Sequence, residues 1–189
     1  MTHDIENYPC HLLKLAVLYT QIMLLALSVL LGLILFGQLS DFTLIFKLNS
    51  KVVLTGFMIG VFCVAVDLIL MKYLPEKAFY DGGINIRLFS CLSPTQILFV
   101  TMLIAFSEEL LFRGVIQTHF GILTASIVFI AVHVRYLKNI FLFINVAILS
   151  FLLGFVYEYT ESLWSVIIIH FIIDYILGIY IHYSYKEGV

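Results

Sequence analysis

Ionisable side chains interrupt otherwise apolar segments of this 189-residue sequence. Such residues are costly in a bilayer, so they mark either a functional site or a buried pair. Glu109 and Arg113 are four residues apart, which predicts a neutralising pair on one helix face. Glu108 faces another direction, because successive helical residues are about 100° apart, and it has no local cation. An unpaired buried carboxylate of this kind suits a general base.

Two histidines and another carboxylate lie in later apolar segments. His133 follows Phe129 by one helical turn, and Asp174 follows His170 by one turn. Taken alone, a core histidine and a local His–Asp hydrogen bond are typical of helix packing. At about 1.5 Å per residue, however, Glu108, the two histidines and Asp174 lie roughly 12–18 Å from the expected outer ends of their helices. Such convergence on three helices predicts a site.

Two kinds of hydrolytic chemistry fit these residues. Two imidazoles and a carboxylate, from His133, His170 and Glu108, match a catalytic zinc site with an open position for water. Alternatively, Glu108 and His133 activate a water directly, while His170 and its neighbour Asp174 stabilise an oxyanion without any cofactor. Both predict hydrolysis of a carbonyl substrate, and a peptide bond is the one we expect.

The elements that must position these residues are membrane-spanning helices. The chain is 62% hydrophobic and 12% charged, with a mean hydropathy of +1.10, whereas an average soluble domain is roughly 45–50% apolar and about 25% charged. This excludes an ordinary soluble domain. The net charge of -2, without a basic stripe, excludes nucleic acid as a partner. We therefore predict a single integral membrane domain, residues 1–189, embedded in the lipid bilayer.

The apolar stretches predict an all-α bundle of about six transmembrane helices around a membrane-embedded polar cavity. The expected spans are residues 15–37, 52–71, 96–117, 122–137, 140–157 and 163–183. The longer connection, residues 72–95, carries turn residues and is typical of an excursion rather than a second domain. Cys10, Cys63 and Cys91 are far apart in sequence, so we expect apolar fillers rather than a disulfide or a thiolate metal site.

Charges outside the spans predict the orientation, because Lys and Arg in short loops favour the cytoplasmic side. With the N-terminus inside, that side carries the larger group of Lys and Arg, at positions 14, 72, 77, 87, 135, 138 and 186. The outer side carries only Lys47 and Lys51. We therefore expect a multi-pass protein of the cell membrane with both termini in the cytoplasm.

In order along the chain, these residues resemble the motifs of a known family. Residues 108–113 match EExxxR, residues 129–133 match FxxxH, and residues 170–174 match HxxxN/D. These are the motifs of the CPBP family, also called Abi, of CAAX-protease and bacteriocin-processing intramembrane endopeptidases. The resemblance covers about residues 96–183, which form the motif-bearing core.

The resemblance implies an endopeptidase that cleaves a membrane-associated or peptide-precursor substrate. Glu108 would activate the water, His133 would help to orient it, and His170 with residue 174 would form the oxyanion hole. The residues that would support this site structurally are Glu109, Arg113 and Phe129. We favour the metal-free mechanism argued for this family. The family was named as metalloproteases, so zinc bound by Glu108, His133 and His170 is the alternative.

Asp174 departs from the CAAX-trimming members of the family, which have Asn at this position. An ionised Asp only accepts hydrogen bonds and would repel an oxyanion. It could act there when protonated, by orienting His170 as an imidazolium donor, or by binding metal.

Two other functions would also bury charges in such a fold. A non-proteolytic membrane scaffold or bacteriocin self-immunity protein is the main alternative, but the three complete motifs favour an enzyme. A small transporter with a proton relay is the other, although the sequence lacks the paired repeats expected of one.

Overall fold

The protein is a bundle of α-helices. The computed structural model describes residues 9–185, except for the side chain of Leu39, and these residues contain no strand. In chain order the helices are α1 (Cys10–Leu35), α2 (Leu39–Leu44), α3 (Ser50–Tyr73), α4 (Ile84–Cys91), α5 (Pro94–Glu109), α6 (Thr118–Val132), α7 (Ile140–Thr160) and α8 (Leu163–Tyr185). A π-helical segment, Leu110–Gln117, joins α5 to α6, and 3-10 turns lie at Glu76–Phe79 and Val134–Lys138. The predicted all-α architecture is confirmed.

Within residues 9–185, five helical stretches are long and apolar enough to cross a membrane. Four of them correspond to the first, second, fifth and sixth predicted spans. The remaining stretch, Pro94–Val132, contains both the third and the fourth. The fourth was expected to continue to residue 137, but α6 ends at Val132 and a 3-10 turn follows.

The chain reverses direction inside the stretch Pro94–Val132, at Gly121. This glycine has φ 80° and ψ 168°, a combination that is essentially restricted to glycine. In a straight helix Arg113 and Phe129 would be about 24 Å apart, yet the Arg113 guanidinium carbon lies 4.8 Å from the centre of the Phe129 ring. The two limbs therefore pack side by side as two antiparallel helices, as the sequence analysis expected.

Helix α8 lies at the centre of the bundle, in contact with α3, α4, α5 and α7. Its closest approach to α3 occurs at Gly56 and Gly60. A Cβ atom at Gly56 would lie 2.8 Å from the Ser165 carbonyl oxygen, and one at Gly60 would lie 3.1 Å from Cβ of Ile172. Small residues at this spacing let two membrane helices approach closely.

A disulfide joins Cys10, at the start of α1, to Cys91, at the end of α4. The expectation that both cysteines are unpaired fillers is therefore wrong. They are 81 residues apart in sequence, but the fold brings their Cα atoms to 5.7 Å, within the range that a disulfide requires. Cys63 is free, as expected.

The disulfide lies at the end of the bundle that carries most of the Lys and Arg residues. Disulfides persist mainly in oxidising compartments, whereas the Lys and Arg excess predicts that this end faces the cytoplasm. The two signals oppose each other, so the orientation stays a prediction. Lys186 and both chain termini lie outside the described residues.

We expect Gly121→Ala to lower the free energy of unfolding by roughly 1–3 kcal/mol, because alanine is strained at this φ and ψ. The space around Gly121 is empty, so the effect would come from the backbone alone. Gly37→Ala is the control, since its surroundings are equally empty and its φ is not positive. Denaturant titration of the purified protein in detergent measures both, and equal stabilities would contradict this account.

Candidate active site

The centre of the site is the predicted pair of Glu109 and Arg113. Arg113 Nε lies 3.4 Å from Glu109 Oε2, and neither side chain is exposed at all. Arg113 Nη2 also donates to the carbonyl oxygen of Ser150, at 2.9 Å, and lies 3.2 Å from its hydroxyl. The pair thus connects the end of α5 and the π-helical segment to α7.

Glu109 has a second partner that spacing alone does not predict. Its Oε1 lies 2.8 Å from Nδ1 of His170 on α8. Glu109 is therefore more than the local counter-ion of Arg113, because it also holds the ring of a predicted catalytic histidine. The two residues are 61 positions apart, so only helix packing brings them together.

His170 lies between two carboxylates. Its Nδ1 faces Glu109, and its Nε2 lies 3.4 Å from Oδ2 of Asp174. An imidazolium can donate to both carboxylates, whereas a neutral ring can donate to only one. The predicted spacing of His170 and Asp174 on one helix face therefore does produce a pair.

Glu108 lies near these charged residues but is not part of the Glu109–Arg113 or His170–Asp174 pairs. None of the ion pairs formed by the described residues includes it. The charges of His170 and Asp174 both act on its carboxylate. Glu108 is thus separate from the Glu109–Arg113 pair but close to the other predicted catalytic residues.

His133 closes the C-terminal end of α6. Its Nδ1 lies 2.7 Å from the carbonyl oxygen of Phe129, one turn earlier, and the two rings are in contact with centres 4.5 Å apart. A carbonyl only accepts hydrogen bonds, so Nδ1 carries the proton. The charges of His170 and Asp174 also reach His133. Phe129 in turn covers the Arg113 guanidinium, so the second motif packs on the first.

The polar side chains of the site become more exposed from Glu109 to Asp174. The side chain of Glu109 is fully buried, that of His170 is 8% exposed, and that of Asp174 is 30% exposed. Asp174 lies one turn beyond His170 in the direction of Tyr185, where α8 ends. We call this series of increasingly exposed polar side chains the polar path, and along α8 it is directed towards the end where α6 and α8 finish.

Two polar residues beside the site had not been singled out in the sequence. Ser107 Oγ donates to Oε1 of Gln21 at 2.5 Å, and both side chains are buried. The bond attaches α1 to α5 directly before Glu108. The available signal was Gln21 itself, a polar residue within an apolar span.

The zinc alternative requires three ligand side chains close enough to share one metal ion. Among the described residues, no three His, Cys, Asp or Glu side chains are grouped as a metal ion would require. Glu108, His133 and His170 lie near each other but do not form such a group. We therefore derive no step through a metal, and whether the protein binds one stays a prediction.

The fold and site together define a class, that of multi-pass helical membrane proteins with a buried cluster of carboxylates and histidines. Residues 91–176 match the family model described as type II CAAX prenyl endopeptidase Rce1-like. The chain is also 40% identical, over 167 residues, to the uncharacterized protein YpbD of Bacillus subtilis (strain 168), and the match covers 88% of each chain. No solved structure gives a significant match.

The chain therefore belongs to the Rce1-like family. This confirms the resemblance to CAAX-type intramembrane proteases that the three motifs predicted, and the family implies a peptidase. The matched region contains Glu108, Glu109, Arg113, His133 and the His170–Asp174 pair.

We expect Arg113→Met to lower the free energy of unfolding by about 3–5 kcal/mol, because it leaves Glu109 buried without its cation. Lys138→Met is the control, since it removes a cation from an exposed position and should change stability by less than about 0.5 kcal/mol. Denaturant titration in detergent measures both variants. If the two lose the same stability, the Glu109–Arg113 pair does not have the structural role assigned to it.

Proposed function

We propose that this protein is an intramembrane endopeptidase that hydrolyses a peptide bond in a membrane-associated or precursor peptide. The observation that carries the proposal is the contact of Glu109 with His170, because it joins the first and third motifs into one buried site beside Glu108. The polar path from this site to one end of the bundle supports it further, since hydrolysis needs water.

In the proposed reaction Glu108 acts as the general base. Its carboxylate takes a proton from water, and the oxygen of that water attacks the carbonyl carbon of the peptide bond. The electron pair of the carbonyl bond moves to its oxygen, which becomes an oxyanion. When the C–N bond breaks, the oxyanion returns to a carbonyl and the leaving nitrogen takes the proton from Glu108.

His133 has the tautomer that a water-orienting residue needs. With the proton on Nδ1, donated to the Phe129 carbonyl, Nε2 of the neutral ring keeps a lone pair that can accept a hydrogen bond from the water. We assign His133 the role of orienting the attacking water towards the substrate carbonyl.

His170 is the proposed oxyanion donor. Glu109 holds Nδ1 and so fixes the orientation of the ring, which leaves Nε2–H as the donor beside Asp174. A preorganised donor lowers the barrier because it need not reorient when charge develops. Asp174 serves this role when protonated, or by keeping His170 in the imidazolium form.

No cofactor is required in this mechanism. The proposed partners are a peptide or protein substrate at the membrane and the lipid bilayer itself. We propose that both termini are cytoplasmic, in accord with the Lys and Arg excess at that end.

We expect Glu108→Gln to lower kcat by about 10²- to 10⁴-fold, because glutamine cannot accept the proton of water. The substrates are two internally quenched peptides, one with a prenylated cysteine near its C-terminus and one with an N-terminal acyl chain. Both are assayed with enzyme reconstituted in liposomes, and bound metal is quantified in parallel. Glu161→Gln is the control, because Glu161 is an exposed residue that pairs with Lys47.

If Glu108→Gln cleaves the peptides as fast as wild type, the catalytic assignment is wrong and a non-proteolytic scaffold is favoured. A stoichiometric zinc that is lost in His133→Ala would support the metal-dependent alternative.

We expect Asp174→Asn to retain activity, because asparagine is neutral and donates a hydrogen bond where an oxyanion develops. Asp174→Leu, which removes the polar group at similar size, should lose roughly 10²- to 10³-fold in kcat. The same peptide assays measure both variants. Activity that is lost in Asp174→Asn and restored by added zinc would contradict the oxyanion role.

A further inference from the structure

Arg135 is a cation at the open end of the candidate site. It lies in the 3-10 turn Val134–Lys138, two residues after His133. Its guanidinium carbon is 4.6 Å from the centre of the Tyr136 ring, and Nη2 donates to the Tyr136 hydroxyl at 2.5 Å. The Tyr136 ring stacks on the His133 ring, with their centres 5.7 Å apart, so Arg135 adjoins the candidate site. In the sequence, Arg135 contributes only to the predicted orientation.

The partners of Arg135 outside its own turn lie at longer distances than Tyr136. Its Nη1 lies 3.9 Å from Oδ2 of Asp81, and its Nη2 lies 3.4 Å from Oδ1 of Asn85. Both Asp81 oxygens already accept backbone N–H groups, from Gly83 and Asn85, at 3.1 Å each. A guanidinium has five N–H donors, and the Arg135 side chain is 37% exposed. It therefore retains donors for a further anion.

The charges along the polar path favour some positions for an anionic group of a substrate and disfavour others. Beyond the sealed Glu109–Arg113 pair, the path passes the carboxylates of Glu108 and Asp174, which would repel an anion. Arg135 lies in the turn that directly follows His133, and its partner Tyr136 stacks on the His133 ring. A substrate anion is therefore most stable there, while its scissile bond lies deeper.

We propose that Arg135 binds a carboxylate of the peptide substrate and thereby sets the distance between that carboxylate and the scissile bond. The inference rests on the proposed peptidase function. Arg is suited to this role because its planar group forms paired hydrogen bonds with a carboxylate. A C-terminal carboxylate and an acidic side chain supply the same anion. Arg135 is in this account a positioning residue, which does not touch the reacting atoms.

Three internally quenched peptides of one sequence test the proposal. The first ends in a free carboxylate, the second in a C-terminal amide, and the third in an amide with Asp near the C-terminus. We expect wild type to cleave one of the two acidic peptides with a kcat/KM about 10- to 100-fold above that of the neutral amide. Preference for the first identifies the chain terminus as the anion, and preference for the third identifies a side chain.

Variants of the same turn separate recognition from structure. We expect Arg135→Gln to abolish the preference, mainly by raising KM for the acidic peptide, so that this peptide is cleaved no better than the neutral amide. Arg135→Lys should keep part of the preference, because lysine retains the charge but not the planar fork. Lys138→Gln, an exposed cation in the same turn, should keep all of it.

Binding measurements on the Glu108→Gln background keep the two proposals distinguishable. Fluorescence anisotropy of labelled peptides reports carboxylate recognition without turnover, with Glu108→Gln compared with the double variant that also carries Arg135→Gln. If wild type cleaves none of the peptides, the peptidase proposal fails, while tighter binding of an acidic peptide that depends on Arg135 still supports recognition. Equal binding and cleavage of all three peptides by wild type, or an equal loss on all three in Arg135→Gln, would overturn the inference.

Discussion

A fully buried ion pair holds the centre of this protein. Removing two charges from water costs several kcal/mol for each ion, and the cost is offset only where geometry and further hydrogen bonds are good. Here Glu109 and Arg113 find those further partners on other elements. Ser150 on α7 accepts from the guanidinium, Phe129 on α6 covers it, and His170 on α8 bonds the carboxylate. Misplacing any of these helices would remove one of these further contacts from the buried pair.

The same requirement explains where the residues of the candidate site lie. The pair at the sealed end fixes His170 through Glu109, and the side chains become more exposed from there to Asp174. Glu108 and His133 lie beside this path and are not part of the Glu109–Arg113 pair. The proposed hydrolysis requires fixed polar groups that water can reach, and a partly exposed path that begins at a rigid centre is consistent with both requirements.

Local patterns predicted much of this arrangement. The apolar stretches predicted the bundle, and the spacing of Glu109 and Arg113 predicted their pair, because helical periodicity is local information. The break between the third and fourth spans was likewise expected, and Gly121 provides it. Features that depend on contacts between distant segments were missed. These include the Cys10–Cys91 disulfide, the hydrogen bond of Gln21 with Ser107, and the early end of α6.

What the sequence determined by itself is the membrane environment, the helical spans and the residues that carry the family motifs, since composition and periodicity are properties of short segments. The contacts between motifs that are distant in sequence depend on the tertiary structure. Glu109 serves both Arg113 and His170, which spacing could not indicate because the contact joins residues 61 positions apart. The sequence likewise indicates only that Arg135 is a charged residue near a loop. The turn after α6 brings it next to the candidate site. Helix packing, and not spacing along the chain, sets which charges meet when water is excluded.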